Sequence, residues 1–191
     1  AVIFGLLMIA SALNSSNYCL EPTSAGLEIW RGKFSPKGKT LVETLPDVDL
    51  SAPVKSVYSR DEAMTVVFEY YMNQANQRAG VVGEPDFNAI AERYAQAKTY
   101  APTSAQAAFA DNRMRTIKAQ SLISEADKAA ANPTPQNIDN ALALLHEAAE
   151  LATDRTQQQL IRVKIDELTA EKTGNSKETG ATPATSENKN Q

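Results

Sequence analysis

The stretch that decides the fold runs from Ile138 to Ala152 and reads IDNALALLHEAAELA. Ile138, Ala141, Leu142, Leu145, Ala148, Ala149 and Ala152 recur at helical spacing and make one apolar stripe. Small residues flank the larger Leu145, so a second helix can approach closely at both ends of the contact. One helix offers no second surface on which to bury such a stripe. Partner helices are therefore expected, and the chain on both sides supplies them.

Working back toward the N-terminus, Asn132-Pro-Thr-Pro135 is a firm boundary before this helix. Upstream, Thr103-Ser-Ala-Gln106 has the form of a capping box and opens a helix reaching about Ala130. Its larger apolar residues, Phe109, Met114, Ile117, Leu122 and Ile123, hold no single stripe, which predicts a kink or a break near Asp111-Asn112. Ser59-Arg-Asp-Glu62 is a second capping box, and its helix extends to about Gln77 on Ala63, Val66, Val67, Tyr70 and Tyr71. Gly80 and Gly83 stop that helix. Pro85 then suits a first helical turn, with Phe87, Ile90, Ala91 and Tyr94 on one face and Tyr100-Ala-Pro102 at the end. On the C-terminal side, Asp154 can cap a last helix whose Leu160, Ile161, Ile165 and Leu168 share a face. After Lys172 the chain is almost devoid of apolar residues, and 173–191 is expected to be disordered.

Two of these helices resemble the second helix of a tetratricopeptide hairpin, which carries a small residue, a large one four on, a small one three further, then proline. Ala141, Leu145 and Ala148 meet the first three places, with Thr153 where proline is usual. Ile90 stands at the first place of the other match, and Tyr94, Ala97 and Pro102 meet the later ones. The Trp, Leu-Gly and Tyr of the family's first helix are missing. The resemblance implies stacked antiparallel hairpins whose exposed face binds another protein; a plain helical bundle satisfies the same stripes.

The N-terminal third reads differently. Residues 1–13 carry no charge, and the first charged side chain is Glu21. The chain does not open on Met, so the segment is expected to continue upstream as an uncleaved transmembrane anchor, seen here as a truncated helix over 1–16. Ala10-Ser11-Ala12 has the form of a leader cleavage site, which leaves a signal segment as the alternative. Leu27-Glu28-Ile29-Trp30-Arg31 alternates as a half-buried strand does, and Tyr18–Leu20 and Leu41–Leu45 can pair with it. A β-hairpin or ribbon is expected over 17–45, then an extended linker over 46–58, held open by Pro46 and Pro53. The helical array occupies 59–172, so the fold class is mainly α.

Composition narrows the function. The 191 residues carry a formal net charge of -4, which argues against nucleic acid as a partner because phosphate binding needs a basic field. One cysteine, Cys19, cannot form an internal disulfide, and one histidine, His146, has no second ligand for a metal site. No metalloprotease helix, phosphate loop or serine elbow is present. No catalytic residue, cofactor or small-molecule substrate is therefore expected. The Glu side chains scattered along the helices leave carboxylate chemistry as the lowest alternative.

Two clusters point to binding. Tyr70, Tyr71, Tyr94 and Tyr100 can line a protein-binding groove or pack in the core with hydroxyls at the rim. Trp30, Arg31, Lys33 and Phe34 combine rings with cations, which suits a membrane interface as well as a small solvated sheet. The expectation is a membrane-anchored scaffold or adaptor in a bacterial envelope, with its helical domain extracytoplasmic. An accessory or assembly subunit of a larger membrane complex is the alternative.

Overall fold

The computed structural model describes residues 2–48, 55–81 and 83–179. Among these residues the chain is mainly helical, with six helices and one small antiparallel sheet. Two compact units divide it, Ala1–Met114 and Arg115–Gln191.

In the first unit, α1 (Val2–Ser16) leads into β1 (Tyr18–Thr23), β2 (Gly26–Gly32) and β3 (Lys39–Leu45). The strands lie in the order β1-β2-β3, each antiparallel to the next. Gly26 closes the first turn with φ 122°, and a Cβ there would meet Leu45 O at 2.2 Å, so only glycine fits. Leu20, Leu27, Ile29 and Leu45 are buried and supply the sheet's contribution to the core. The ladder shifts between Ile29 and Trp30, a bulge that releases the edge toward the 33–38 loop. Tyr58 exchanges two backbone hydrogen bonds with Tyr18, covering the outer edge of β1 just before the next helix.

That helix, α2 (Arg60–Ala79), opens with the expected capping box: Ser59 accepts from the Glu62 amide, and Glu62 accepts from Ser59 N–H. Its buried face, including Ala63, Val67, Tyr71 and Ala75, packs against α3 (Phe87–Tyr100) and touches β1 and β3. Pro85 is not in the first turn of α3. Asp86 takes the cap and accepts from Ala89 N–H, leaving the proline just outside the helix.

The helix α4 (Ser104–Ala130) crosses the division between the units without a break, correcting the expected interruption at Asp111-Asn112. Its stripe is discontinuous because its two halves serve different cores. Ala110 is buried in the first unit, and Ala119, Ile123 and Ala126 in the second. In the second unit these residues join Ala141, Leu145, Ala148 and Ala152 with Ile161 in one cluster. Most of those belong to α5 (Pro135–Leu151), capped by Thr134 with Pro135 in its first turn. Leu145 is 1% exposed at the centre of the stripe, while Ala149 faces solvent, so the stripe is narrower than its sequence suggests.

The last helix, α6 (Arg155–Thr179), starts where Asp154 accepts from Gln157 N–H. It runs past Lys172, where disorder was expected to begin; the rest of that tail, from Gly180 on, lies outside the described residues. So do residues 49–54 of the expected linker. Ile161 is buried, Ile165 and Leu168 are partly buried against the cluster, and Leu160 is exposed.

Among the described residues no helix is long and apolar enough to cross a membrane. The transmembrane helix expected over 1–16 is thus not found as a full span among these residues. The 15 residues of α1 rise about 22 Å, against a hydrocarbon core of about 30 Å.

Candidate functional site

Tyr70, Tyr71 and Tyr100 gather near β3. Tyr71 stacks on Tyr100 with centroids 5.9 Å apart and planes 13° from parallel, and Tyr70 meets Tyr71 edge-on at 5.2 Å. The Arg93 guanidinium lies 5.9 Å from the Tyr71 ring. Tyr100 donates its hydroxyl to Glu43 Oε2, tying α3 to β3. That bond to a carboxylate, then burial, pushes the Tyr100 phenol up to about 12. Burial foremost raises Tyr70, Tyr71 and Tyr94 as well.

Burial divides the four tyrosines. Tyr94 is 3% exposed and donates to Asn76 Oδ1 at 2.7 Å, and Tyr71 is 6% exposed. Both are core side chains that satisfy their hydroxyls internally or stack within the fold. Tyr100 is half-buried and committed to Glu43. Tyr70 lines a cavity, about 400 Å³ in volume, between α2 and the end of β3.

The end of β3 and the residues after it line it with Leu45, Pro46 and Val48, and α2 lines it with Val66, Glu69 and Tyr70 and with the amides Asn73, Gln74 and Gln77. Asp47 lines it too, with φ 60°, in the left-handed region that Asp tolerates better than most residues. Gln74 Nε2 donates to Tyr70 Oη at 2.6 Å, while Gln74 Oε1 is buried and accepts no hydrogen bond. A buried carbonyl without a donor is costly, and this one belongs to a residue that lines the cavity. The volume suits a short side-chain or backbone segment of a ligand.

Sequence reasoning reached Tyr70 but not Glu43, Gln74 or Asn73. The amides at 73, 74 and 77 share one side of α2, a helical spacing that was legible in principle. The wall from β3 is not, because nothing local pairs Leu45 with Tyr70.

The second cluster sits at the foot of α1. Trp30 is half-buried, donates Nε1 to Glu28 at 3.0 Å and lies under Lys39 Nζ, 4.5 Å from its centroid. Arg31 and Lys33 are exposed, and Phe34 is 61% exposed. Arg31 Nε donates to Ser15 O at 3.0 Å. Asn14 Nδ2 reaches the carbonyls of Lys33, Ser35 and Gly38 at 2.9–3.1 Å, so the α1 terminus holds the loop carrying Phe34. Gly32 permits this closeness: a Cβ there would fall 1.9 Å from Asn14 O.

His146 is exposed on α5. No group of three or more His, Cys, Asp or Glu side chains among the described residues could hold a metal ion. Glu62 has its carboxyl lowered to about 2 by the hydrogen bond from Lys55 and by its role in the capping box. Compared with protein-family models, curated proteins and solved structures, the chain matches none.

Proposed function

We propose that this chain is a membrane-seated, non-enzymatic adaptor that binds a segment of another protein in the groove between α2 and β3. The observation that carries this is a cavity lined by apolar side chains together with the amides of α2, one of which, Gln74, keeps a buried Oε1 without a hydrogen bond. An extended peptide meets both needs, since its backbone N–H groups satisfy amide oxygens and its side chains meet the apolar ones. The tetratricopeptide-like pattern supports the same use. Ala141, Leu145 and Ala148, and likewise Ile90, Tyr94 and Ala97, are buried where hairpin packing needs them. Tyr71, Tyr94 and Tyr100 act as supports for the groove, and Tyr70 as its contact residue.

Membrane attachment rests on α1, whose large apolar side chains are exposed. We place the helical units outside the cytoplasm, in a bacterial envelope, as is common after a single N-terminal hydrophobic segment. Carboxylate catalysis draws less support: a general acid needs a raised pKa, whereas Glu62 is lowered, exposed and engaged in a helix cap. A second reading, an accessory subunit of a larger membrane complex, is favoured by one feature. A Cβ on Gly5 would meet nothing within 4 Å, so a neighbouring span has room to approach α1 there.

Mild crosslinking and detergent extraction from native membranes, followed by affinity purification, tests the adaptor. A stoichiometric protein partner that Tyr70→Ala or Gln74→Ala removes, with helicity retained, is the expected result. Recovery of the chain alone would defeat it. A partner retained by both variants but lost when α1 is made polar would favour the accessory subunit.

A further inference from the structure

Seven large apolar side chains between Ile3 and Leu13 are 44% to 76% exposed. At about 100° per residue these positions point to every side of α1, so no single groove could cover them. The hydroxyls of Ser11, Ser15 and Ser16 are each spent on a carbonyl of the same helix, and Asn14 Nδ2 is spent on carbonyls of the 33–38 loop. Lipid suits such a surface.

At its foot the chemistry changes within one turn. A cavity of about 520 Å³ is lined by Ser15, Arg31, Gly32, Phe34, Thr40 and Val42. The Arg31–Ser15 bond uses one of the guanidinium's five N–H donors and fixes the group beside the last turn of α1, where a cation is favoured. Lys33 and Lys37, both exposed, lie on the loop that Asn14 holds. Among the described residues, no carboxylate pairs with Arg31, Lys33 or Lys37.

We infer that this foot is a headgroup site for an anionic phospholipid, with Arg31 on the phosphodiester and Phe34 and Val42 against the glycerol and upper acyl chains. The assignment rests on α1 being seated in the bilayer. It adds the lipid class and the residues that choose it. Arginine suits the phosphate because its planar fork matches two oxygens, and Phe34 suits the boundary because an exposed ring is at home there. Lys33 and Lys37 add attraction to a negative surface without fixed geometry.

Flotation of the full chain with phosphatidylcholine vesicles, and with equimolar phosphatidylcholine–phosphatidylglycerol vesicles, tests this. Tighter binding to the mixed vesicles is expected, weakening about fivefold with each of Arg31→Gln and Lys33→Gln, and fading in high salt. Binding to neutral vesicles should fall less than binding to mixed vesicles in both variants, and Arg31→Lys should keep only the part of the preference that depends on charge. Equal affinity for the two vesicles, unaffected by Arg31→Gln, would overturn the headgroup site while leaving α1 in the membrane. Displacement from mixed vesicles by inorganic phosphate, at constant ionic strength, would assign the notch to free phosphate and overturn the lipid. Failure to float with either vesicle would overturn both readings and put a protein around α1.

Discussion

Glu62 shows how a single side chain can be legible in sequence yet gain its character from structure. Its spacing from Ser59 announces the capping box, and the box forms. Lys55, seven residues back across a stretch with no regular pattern, then bonds its carboxylate at 2.6 Å. The folded carboxyl sits near 2, below its ordinary 4.5, so its contribution to stability is present above pH 4.5 and is lost as pH falls through 2. A carbon-detected titration of the Glu62 carboxyl should show a midpoint near 2, moving up in Lys55→Gln. A midpoint at the ordinary value would remove the linkage. Leu145 is the opposite case, since its role is readable from the stripe alone. Burial to 1% among alanines that cannot relax to fill a gap makes Leu145→Ala cost about 2–5 kcal/mol in urea unfolding. A loss below about 1 kcal/mol would mean the second unit is not built on this residue. Tyr100 and Glu43 were not legible as a pair, because 57 residues separate two groups that meet only after β3 and α3 have formed.

At the scale of elements, local signals placed the helix starts well wherever a side chain meets its own backbone. Ser59, Thr134 and Asp154 each accept from an amide three residues on. Those signals failed where the chain had two good choices, as at Pro85, which lost the start of α3 to the better cap Asp86. The broken stripe of α4 reads in sequence as a change of backbone, and in the structure it is a change of partner along a continuous helix. A helix can turn different residues to two cores without bending, and periodicity alone does not separate those cases. The joint between α1 and the sheet was invisible in sequence, because it depends on Gly32 lying under the Asn14 carbonyl. Gly32→Ala should push the two apart at a cost of about 1–3 kcal/mol. Amide exchange at residue 32, bonded to Asn17 O in the native chain, should speed up while that of Ile29 stays protected. Unchanged protection at residue 32 would show that the close approach is not needed.

For the whole molecule, sequence conveyed the class of fold and the order of its parts: an apolar helix, a three-stranded ribbon, then amphipathic helices. It did not convey two units, since their division falls inside the continuous helix α4. Nor did it convey the groove, whose walls come from β3 and α2 and meet only once the first unit has folded. The sequence gives tyrosines without saying which are exposed, and burial keeps Tyr71 and Tyr94 for the core. The central claim is that the α2–β3 groove holds a protein segment. A photoreactive phenylalanine analogue replacing Gln77, one of the groove's amides, tests it most directly in the cell's own membranes, with a copy at the exposed Arg162 for comparison. The account predicts one adduct of defined mass from position 77, greatly reduced by Tyr70→Ala and absent from position 162. No adduct at position 77, or one indifferent to Tyr70→Ala, would contradict it.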